Sequence, residues 1–186
     1  MHPDDKHPEF VTRSEDPWNG GPPLGPLAAA QRTPYELFFV RSHGGIPAVD
    51  GETYRLRVTG LVKQPLELSF RDLASNYRRH AVVAALECAG NRRSELIAHA
   101  PTPGELEWLA DAIGNASWSG FALGEILAKA EPLPAARHVE FIGLDSVERH
   151  GERFAFGGSI PLEKALAPEV LLADVMNGAA LKPAHG

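Results

Sequence analysis

A single cysteine, Cys88, stands in a chain of 186 residues. That scarcity excludes an intrachain disulfide framework, and with it zinc or iron–sulfur centres built on several thiolates. No Cys-x-x-Cys-His stretch is present for covalent haem attachment. No Gly-x-Gly-x-x-Gly follows a strand-like run and no P-loop occurs, so nicotinamide or nucleotide chemistry has no support. No apolar run approaches the length of a membrane span. The opening residues, Met1-His2-Pro3-Asp4-Asp5, hold no apolar core of a secretory signal. The expectation is a cytoplasmic protein with no membrane partner. Cations are in deficit: 18 Lys and Arg against 24 Asp and Glu leave a net charge of -6. This balance argues against nucleic acid as the main partner, yet it permits a local basic pocket for a small anion.

What is present is an ordinary globular composition, 44% apolar and 23% charged, in enough chain for one domain with a real core. Residues 1–32 carry much of the Pro and Gly, including Gly20-Gly21-Pro22-Pro23, and cannot hold a long helix or a central strand. We read them as an extended arm, anchored by Phe10, Val11, Trp18 and Leu24, laid over a domain formed by residues 33–186. Thr33-Pro34 starts a single turn with Thr33 as its cap. Phe38-Phe39-Val40 reads as an aromatic strand running into a loop with Arg41 and His43, which are two apart and so share a face. Alternation predicts strands over 53–60 and 66–68, and Ser69 caps a short helix. The stretch from Gly114 to Gly120 reads as a loop, and 121–130 as an amphipathic helix stopped before Pro132. Strands follow at 138–142, 153–156 and 170–176, with a short helix at 162–166 and a hairpin turn at Asn177-Gly178. Strands outnumber helices without strict βαβ order, which predicts an α+β fold.

The chain is organised around Leu86-Glu87-Cys88-Ala89-Gly90-Asn91-Arg92-Arg93. The apolar run from Ala81 to Leu86 reads as a buried strand leading into it. Gly90-Asn91 then forces a tight turn, and two arginines follow. A thiol at the end of a rigid strand beside guanidinium charge favours thiolate chemistry, as a metal ligand or as a nucleophile. The same residue equally suits a small core position.

The octet LECAGNRR resembles the cofactor-ligating segment of the sulfite oxidase family of molybdenum enzymes. FFVRSHGGIP is similar to that family's Phe-Phe-x-Arg-Asn-His-Gly segment, with Ser42 where Asn is usual, and RSEDPWNGGPP is similar to the arm of bacterial members. The resemblance implies a mixed-sheet molybdopterin-binding fold in which Cys88 ligates molybdenum, a thiolate being the soft donor such a metal takes. It implies pterin contacts from Phe39, Val40, Arg41, Ser42 and His43, from Asp145 in Gly-Leu-Asp-Ser, and from His185, which matches the His of a His-Gly-Phe-Pro segment. Arg41 and Arg93 are expected to hold a small oxyanion, since planar guanidinium matches its geometry. Trp108, in Leu-Glu-Trp, is expected to wall that pocket, although its spacing from the cysteine is one residue longer than in the family. The implied reaction is oxidation of sulfite to sulfate, with the electrons passed to an unidentified acceptor.

Two departures bear on these expectations. Asp174-Val175 stands where Tyr-Glu commonly precedes Met-Asn-Gly, and the chain stops at Ala184-His185-Gly186. Family members continue with basic pterin-phosphate contacts, a pocket Tyr and a dimerisation domain. The expectation is therefore a partial cofactor domain, incomplete at the C-terminus, that loads cofactor weakly. A homodimer is expected only with the further domain. Two rival readings are a folded, non-catalytic scaffold and a cysteine hydrolase with His43 or His185 as base.

Overall fold

The computed structural model describes residues 5–149 and 151–185. Residues 1–4 of the arm, His150, and Gly186 of the C-terminal His-Gly pair lie outside the described residues. The arm folds as a hairpin of β1 (Val11–Glu15) and β2 (Trp18–Gly21), followed by the short helix α1 (Leu24–Ala29). Only the inner strand is covered. Trp18 is buried as an anchor, whereas Val11 and Leu24 are about half exposed because β1 and α1 face outward. Gly20 and Val40 exchange backbone hydrogen bonds at 3.0 and 2.9 Å. That single bridge is all that forms of the expected aromatic strand over Phe38-Phe39-Val40. Pro22 and Pro23 follow at once and lack the donors that would extend the ladder. Thr33 does not cap the turn at Tyr35–Leu37. Its hydroxyl instead accepts from Asn115 N–H at 3.0 Å, and its own N–H donates to Asn115 O at 2.7 Å.

Next come the hairpin β3 (Leu56–Val58) with β4 (Leu66–Leu68), and helix α2 (Phe70–Asn76), which Ser69 and Asp72 close with a reciprocal capping box. Strand β5 (Arg79–Glu87) leads to the short helix α3 (Arg93–Ile97). Strand β6 (Ile113–Ala122) runs into α4 (Leu123–Ala130). A long hairpin follows, β7 (His138–Arg149) with β8 (Glu152–Pro161), and then α5 (Leu162–Ala165), β9 (Leu171–Met176) and β10 (Ala179–Ala180). Asn177 and Gly178 both take positive φ, 51° and 83°, as a tight hairpin turn requires.

The main sheet has the order β10-β9-β6-β5, and every described pairing is antiparallel. Two expectations fail here. The 114–120 loop is the central strand of this sheet. Its glycines are there for close approach: a Cβ on Gly114 would overlap the Phe38 ring, and one on Gly120 would overlap the backbone of Leu172. The 81–86 strand exists, but it is an edge strand rather than a buried one, so Val83 and Leu86 stay 51% and 48% exposed. Helix α4 starts two residues later than its pattern predicts, because Phe121 and Ala122 still pair with Leu172 and Leu171. Its apolar face, Leu123, Ile126, Leu127 and Ala130, is buried as amphipathicity requires. The core beside the cysteine turn consists of Phe38, Phe39, Trp108, Ala112, Ala116 and Met176. Burying a side chain of the size of Phe38 stabilises the fold by about 1.5–3 kcal/mol.

Two polar clasps fix the N-terminal segment. In the first, Arg13 of β1 pairs with Asp111, whose side chain is 2% exposed, while the Arg13 guanidinium lies 5.4 Å from the Trp108 ring centre. Gly21 is required opposite, since any Cβ there would overlap the Asp111 carboxylate. In the second, the buried Lys6 Nζ donates to Tyr35 O at 2.8 Å and Phe38 O at 2.9 Å, and lies 3.3 Å from His185 Nε2. Burial, then the Lys6 and Lys182 charges, pulls the His185 imidazole down to about 3. Burial, then Lys182, pulls Lys6 down to about 7. His185 is thus neutral at neutral pH, with Nε2 as an acceptor for Lys6.

Asp111→Ala strands a buried guanidinium and is expected to cost about 3–5 kcal/mol in urea unfolding, with Arg13→Met/Asp111→Ala recovering part of it. Both clasp groups bind fewer protons folded than unfolded, so stability rises with pH across each window. It is expected to fall as pH drops from the ordinary 6.5 of His185 towards 3, and to climb as pH rises from about 7 towards the ordinary 10.5 of Lys6. Urea midpoints measured across pH test this, and His185→Gln should flatten the acid limb alone.

Candidate active site

Strand β5 delivers Cys88 to a turn that the following chain holds in place. Cys88 N–H donates to Ala112 O at 2.9 Å, Arg92 N–H to Leu109 O at 2.8 Å, and Ser94 N–H to Trp108 O at 3.0 Å. Asn91 closes the turn with its side chain: Oδ1 accepts from Ala112 N–H at 3.0 Å, and Nδ2 donates to Glu87 Oε1 at 2.8 Å. Arg92 takes a left-handed conformation with φ of 62°, a strained position for a residue with a side chain. Cys88 is half-buried, its thiol accepting from Gly90 N–H at 3.4 Å. Arg93 folds its guanidinium back onto Gly90, where a Cβ would lie 2.7 Å from Cζ and both terminal nitrogens. Gly90 therefore permits one cation to sit against the cysteine turn.

The second half of the site comes from the loop after Val40. Arg41 donates to Asn19 Oδ1 at 3.2 Å and lies 3.2 Å from His43 Nδ1. The same Asn19 oxygen accepts from Ser42 N–H at 2.8 Å, and its amide donates to Pro17 O. Asn19 is 1% exposed, so the arm positions Arg41 and Ser42 through one fully engaged side chain. Sequence reading missed it, although a polar residue between the anchor Trp18 and two glycines was the available signal. The His43 ring stacks on Phe156 with centroids 4.8 Å apart. Burial, then the Arg41 charge, holds its pKa below the ordinary value. It is therefore neutral at pH 7, and since arginine can only donate, Nδ1 accepts and Nε2–H is left as a donor.

Asp145 joins this group through a bulge. Between Ile142 and Ser146 the β7 register slips against β8, where Ile142 faces Gly157 and Ser146 faces Ala155. Gly143, Leu144 and Asp145 stand there against Phe156 alone, and the bulge re-aims the half-buried carboxylate, as bulges do beside functional sites. Gly44 packs so closely on Ser146 that a Cβ would overlap its carbonyl, which seats the His43 loop against that bulge. His43 consequently feels four charges: Arg41, Glu105, Arg149 and Asp145. Glu105 in turn pairs with Arg93 at 3.7 Å and Arg149 at 2.9 Å. Neither Glu105 nor Arg149 was singled out from the sequence.

Four expected residues are buried or make their described contacts apart from these polar groups. Trp108 has no exposed surface and packs edge-on against Phe39, so it floors the cysteine turn rather than walling an open pocket. Phe39 and Val40 are buried, and the backbone N–H and C=O of Val40 are taken up by Gly20. His185 contacts Lys6, Tyr35 and Phe38, and none of its described contacts is with Cys88, Arg41 or Asp145. The hydrolase reading loses its base: among the described contacts, neither His43 nor His185 bonds the Cys88 thiol. Among the described residues no three His, Cys, Asp or Glu side chains converge to hold a metal ion. One soft thiol on a turn that carries the folded-back Arg93 guanidinium fits an anionic metal group that arrives with most of its own ligands. No helix of the described residues is long and apolar enough to cross a membrane.

Known proteins resemble this chain over nearly its whole length. The profile of the oxidoreductase molybdopterin binding domain matches residues 43–186. The chain is 43% identical over 185 residues to the sulfite oxidase of Gallus gallus, covering 97% of this chain and 39% of that protein. It is 42% identical over 186 residues to the mitochondrial sulfite oxidase of Homo sapiens, 97% of this chain and 33% of that one. A nitrate reductase [NADPH] of Emericella nidulans is 37% identical over 176 residues, 91% of this chain and 20% of its own length. Among solved structures, the sulfane dehydrogenase SoxCD from Paracoccus pantotrophus superposes with a TM-score of 0.75 at 30% identity, covering 97% of this chain and 43% of that one. The chain thus spans under half the length of these relatives. It belongs to the oxidoreductase molybdopterin-binding domain family that includes the sulfite oxidases, and molybdopterin carrying molybdenum is the cofactor of that domain.

Proposed function

We propose that this chain forms the cofactor-holding part of a sulfite oxidase-type enzyme, one that oxidises sulfite or a closely similar small oxyanion to sulfate. One observation carries the reading: the only thiol of the chain shares a turn with a folded-back guanidinium, Arg93, through Gly90. Arg41 supports it, since Asn19 holds that residue beside His43. When bound, the molybdenum cofactor supplies the oxygen-atom transfer and takes up two electrons, which an external acceptor removes.

In this reading the Cys88 thiolate ligates the metal, and the backbone of residues 106–112 keeps it there. The His43 Nε2–H, the Ser42 hydroxyl and the Asp145 carboxylate are polar groups for the pterin. Arg41 and Arg93 bind and orient the oxyanion, each able to donate two parallel N–H bonds. Phe39, Val40 and Trp108 act beneath the site, as packing that keeps these groups from shifting. His185 contributes by tying the last strand region to Lys6. Sulfite is favoured over nitrate because it carries up to two negative charges to set against two guanidinium groups, and because the sulfite oxidases share more identity with the chain.

Cys88→Ser is expected to abolish sulfite-dependent ferricyanide reduction in cofactor-loaded protein while the circular dichroism spectrum stays unchanged, because a hydroxyl is a harder and poorer donor than a thiolate. A serine variant with wild-type rates and molybdenum content would remove the thiolate from the metal. Arg41→Gln deletes one charge-assisted contact, worth about 1.5–3 kcal/mol, so KM for sulfite should rise by roughly ten- to a hundredfold. Molybdenum content should hold. Complete loss of the metal in this variant would reassign Arg41 to the cofactor.

A further inference from the structure

Arg93 is not a free cation in this fold. Glu105 lies between two arginines, with Oε2 3.7 Å from Arg93 Nη2 and Oε1 accepting from Arg149 Nη2 at 2.9 Å. Arg93 Nη1 donates to the carbonyl of Leu106, the next residue, at 2.8 Å. The loop that delivers the carboxylate therefore also grips the guanidinium. Gly104, at a φ of 81°, turns the chain into position just before it, and Glu105 N–H donates to Thr102 O at 3.3 Å. The side chains of Glu105 and Arg93 are only 31% and 18% exposed, so solvent screens their attraction incompletely. A carboxylate presents to guanidinium the same planar pair of oxygens as an oxyanion ligand does.

We propose that Glu105 is an internal counter-anion of the arginine pocket, which an incoming oxyanion must displace from Arg93, and that it thereby sets how tightly small anions bind. This rests on the anion-pocket reading given above. Arg149 gives the displaced carboxylate somewhere to stay: it is the nearer partner, and it lies on β7 rather than on the cysteine turn. Entry of an anion then exchanges one partner of Arg93 for another, instead of burying a new negative charge beside an unmatched one. Glu105 is a specificity-determining residue in this sense, acting on the substrate through the occupancy of Arg93.

The test compares wild type, Glu105→Gln and Arg93→Gln in two measurements. Sulfate, a redox-inert oxyanion, is titrated calorimetrically. The sole thiol is timed against anionic Ellman's reagent and neutral iodoacetamide, whose rate ratio reports the local potential and cancels changes in exposure. Glu105→Gln should bind sulfate about three- to tenfold more tightly, with the anionic-to-neutral rate ratio rising, and Arg93→Gln should shift both the opposite way. An unchanged affinity and ratio in Glu105→Gln, beside a clear loss in Arg93→Gln, overturns the role of Glu105 and leaves the anion pocket standing. If Arg93→Gln also changes neither, the anion pocket itself falls. Where sulfate binding is too weak to measure in every form, the reagent ratio decides alone.

Discussion

The cysteine turn has no regular secondary structure of its own, and it depends on backbone donated by residues 106–112. Three of its N–H groups and the Asn91 side-chain oxygen are satisfied there, over a turn that contains one left-handed arginine. A half-buried turn cannot leave those groups unpaired, since each unmatched one costs about 1–3 kcal/mol. The 106–112 segment is fixed in turn by Trp108, which is driven into the core against Phe39, and by Asp111, which Arg13 holds from the arm. The position of one sulfur atom therefore rests on a chain of contacts that begins about 75 residues earlier in sequence. None of the links is chemical in the sense of touching a substrate.

The arm has a role that its composition conceals. Proline and glycine limit it to one hairpin, but that hairpin carries the buried Asn19 and Arg13, one for each half of the site. Overall charge is equally uninformative about the site. A chain of net charge -6 gathers Arg41, Arg149, Glu105 and Asp145 about His43, and joins Arg93 to them through Glu105. Small-anion recognition depends on this local arrangement, which the sum over all residues averages away.

Legibility in the sequence followed the range of the interaction that decides each feature. Local rules read well: the Ser69 cap, the Asn177-Gly178 turn, the α4 face and the thiol-bearing turn are each set within a few residues. Features set by distant neighbours did not. Gly114 and Gly120 look like chain breakers until Phe38 and Leu172 are seen pressing on them. The apolar run before Cys88 looks like an interior strand until it proves to be a sheet edge. Glu105 and Arg149 are ordinary surface residues by pattern, and only the fold sets Glu105 between Arg93 and the end of β7. Asp174, a departure from the family motif, becomes intelligible once Arg79 is found bonding both its oxygens at 2.6 and 2.5 Å.

The clasp between Lys6 and His185 joins residues 179 positions apart. Local hairpins such as β7–β8 close short loops and can form early, whereas this contact must wait until nearly the whole chain has been ordered. Interactions made that late are absent from the folding transition state, so they hardly affect how fast the chain folds and act mainly on how fast it opens. The clasp is thus a kinetic fastener: it slows release of the arm, and the arm carries the residues on which both halves of the site depend.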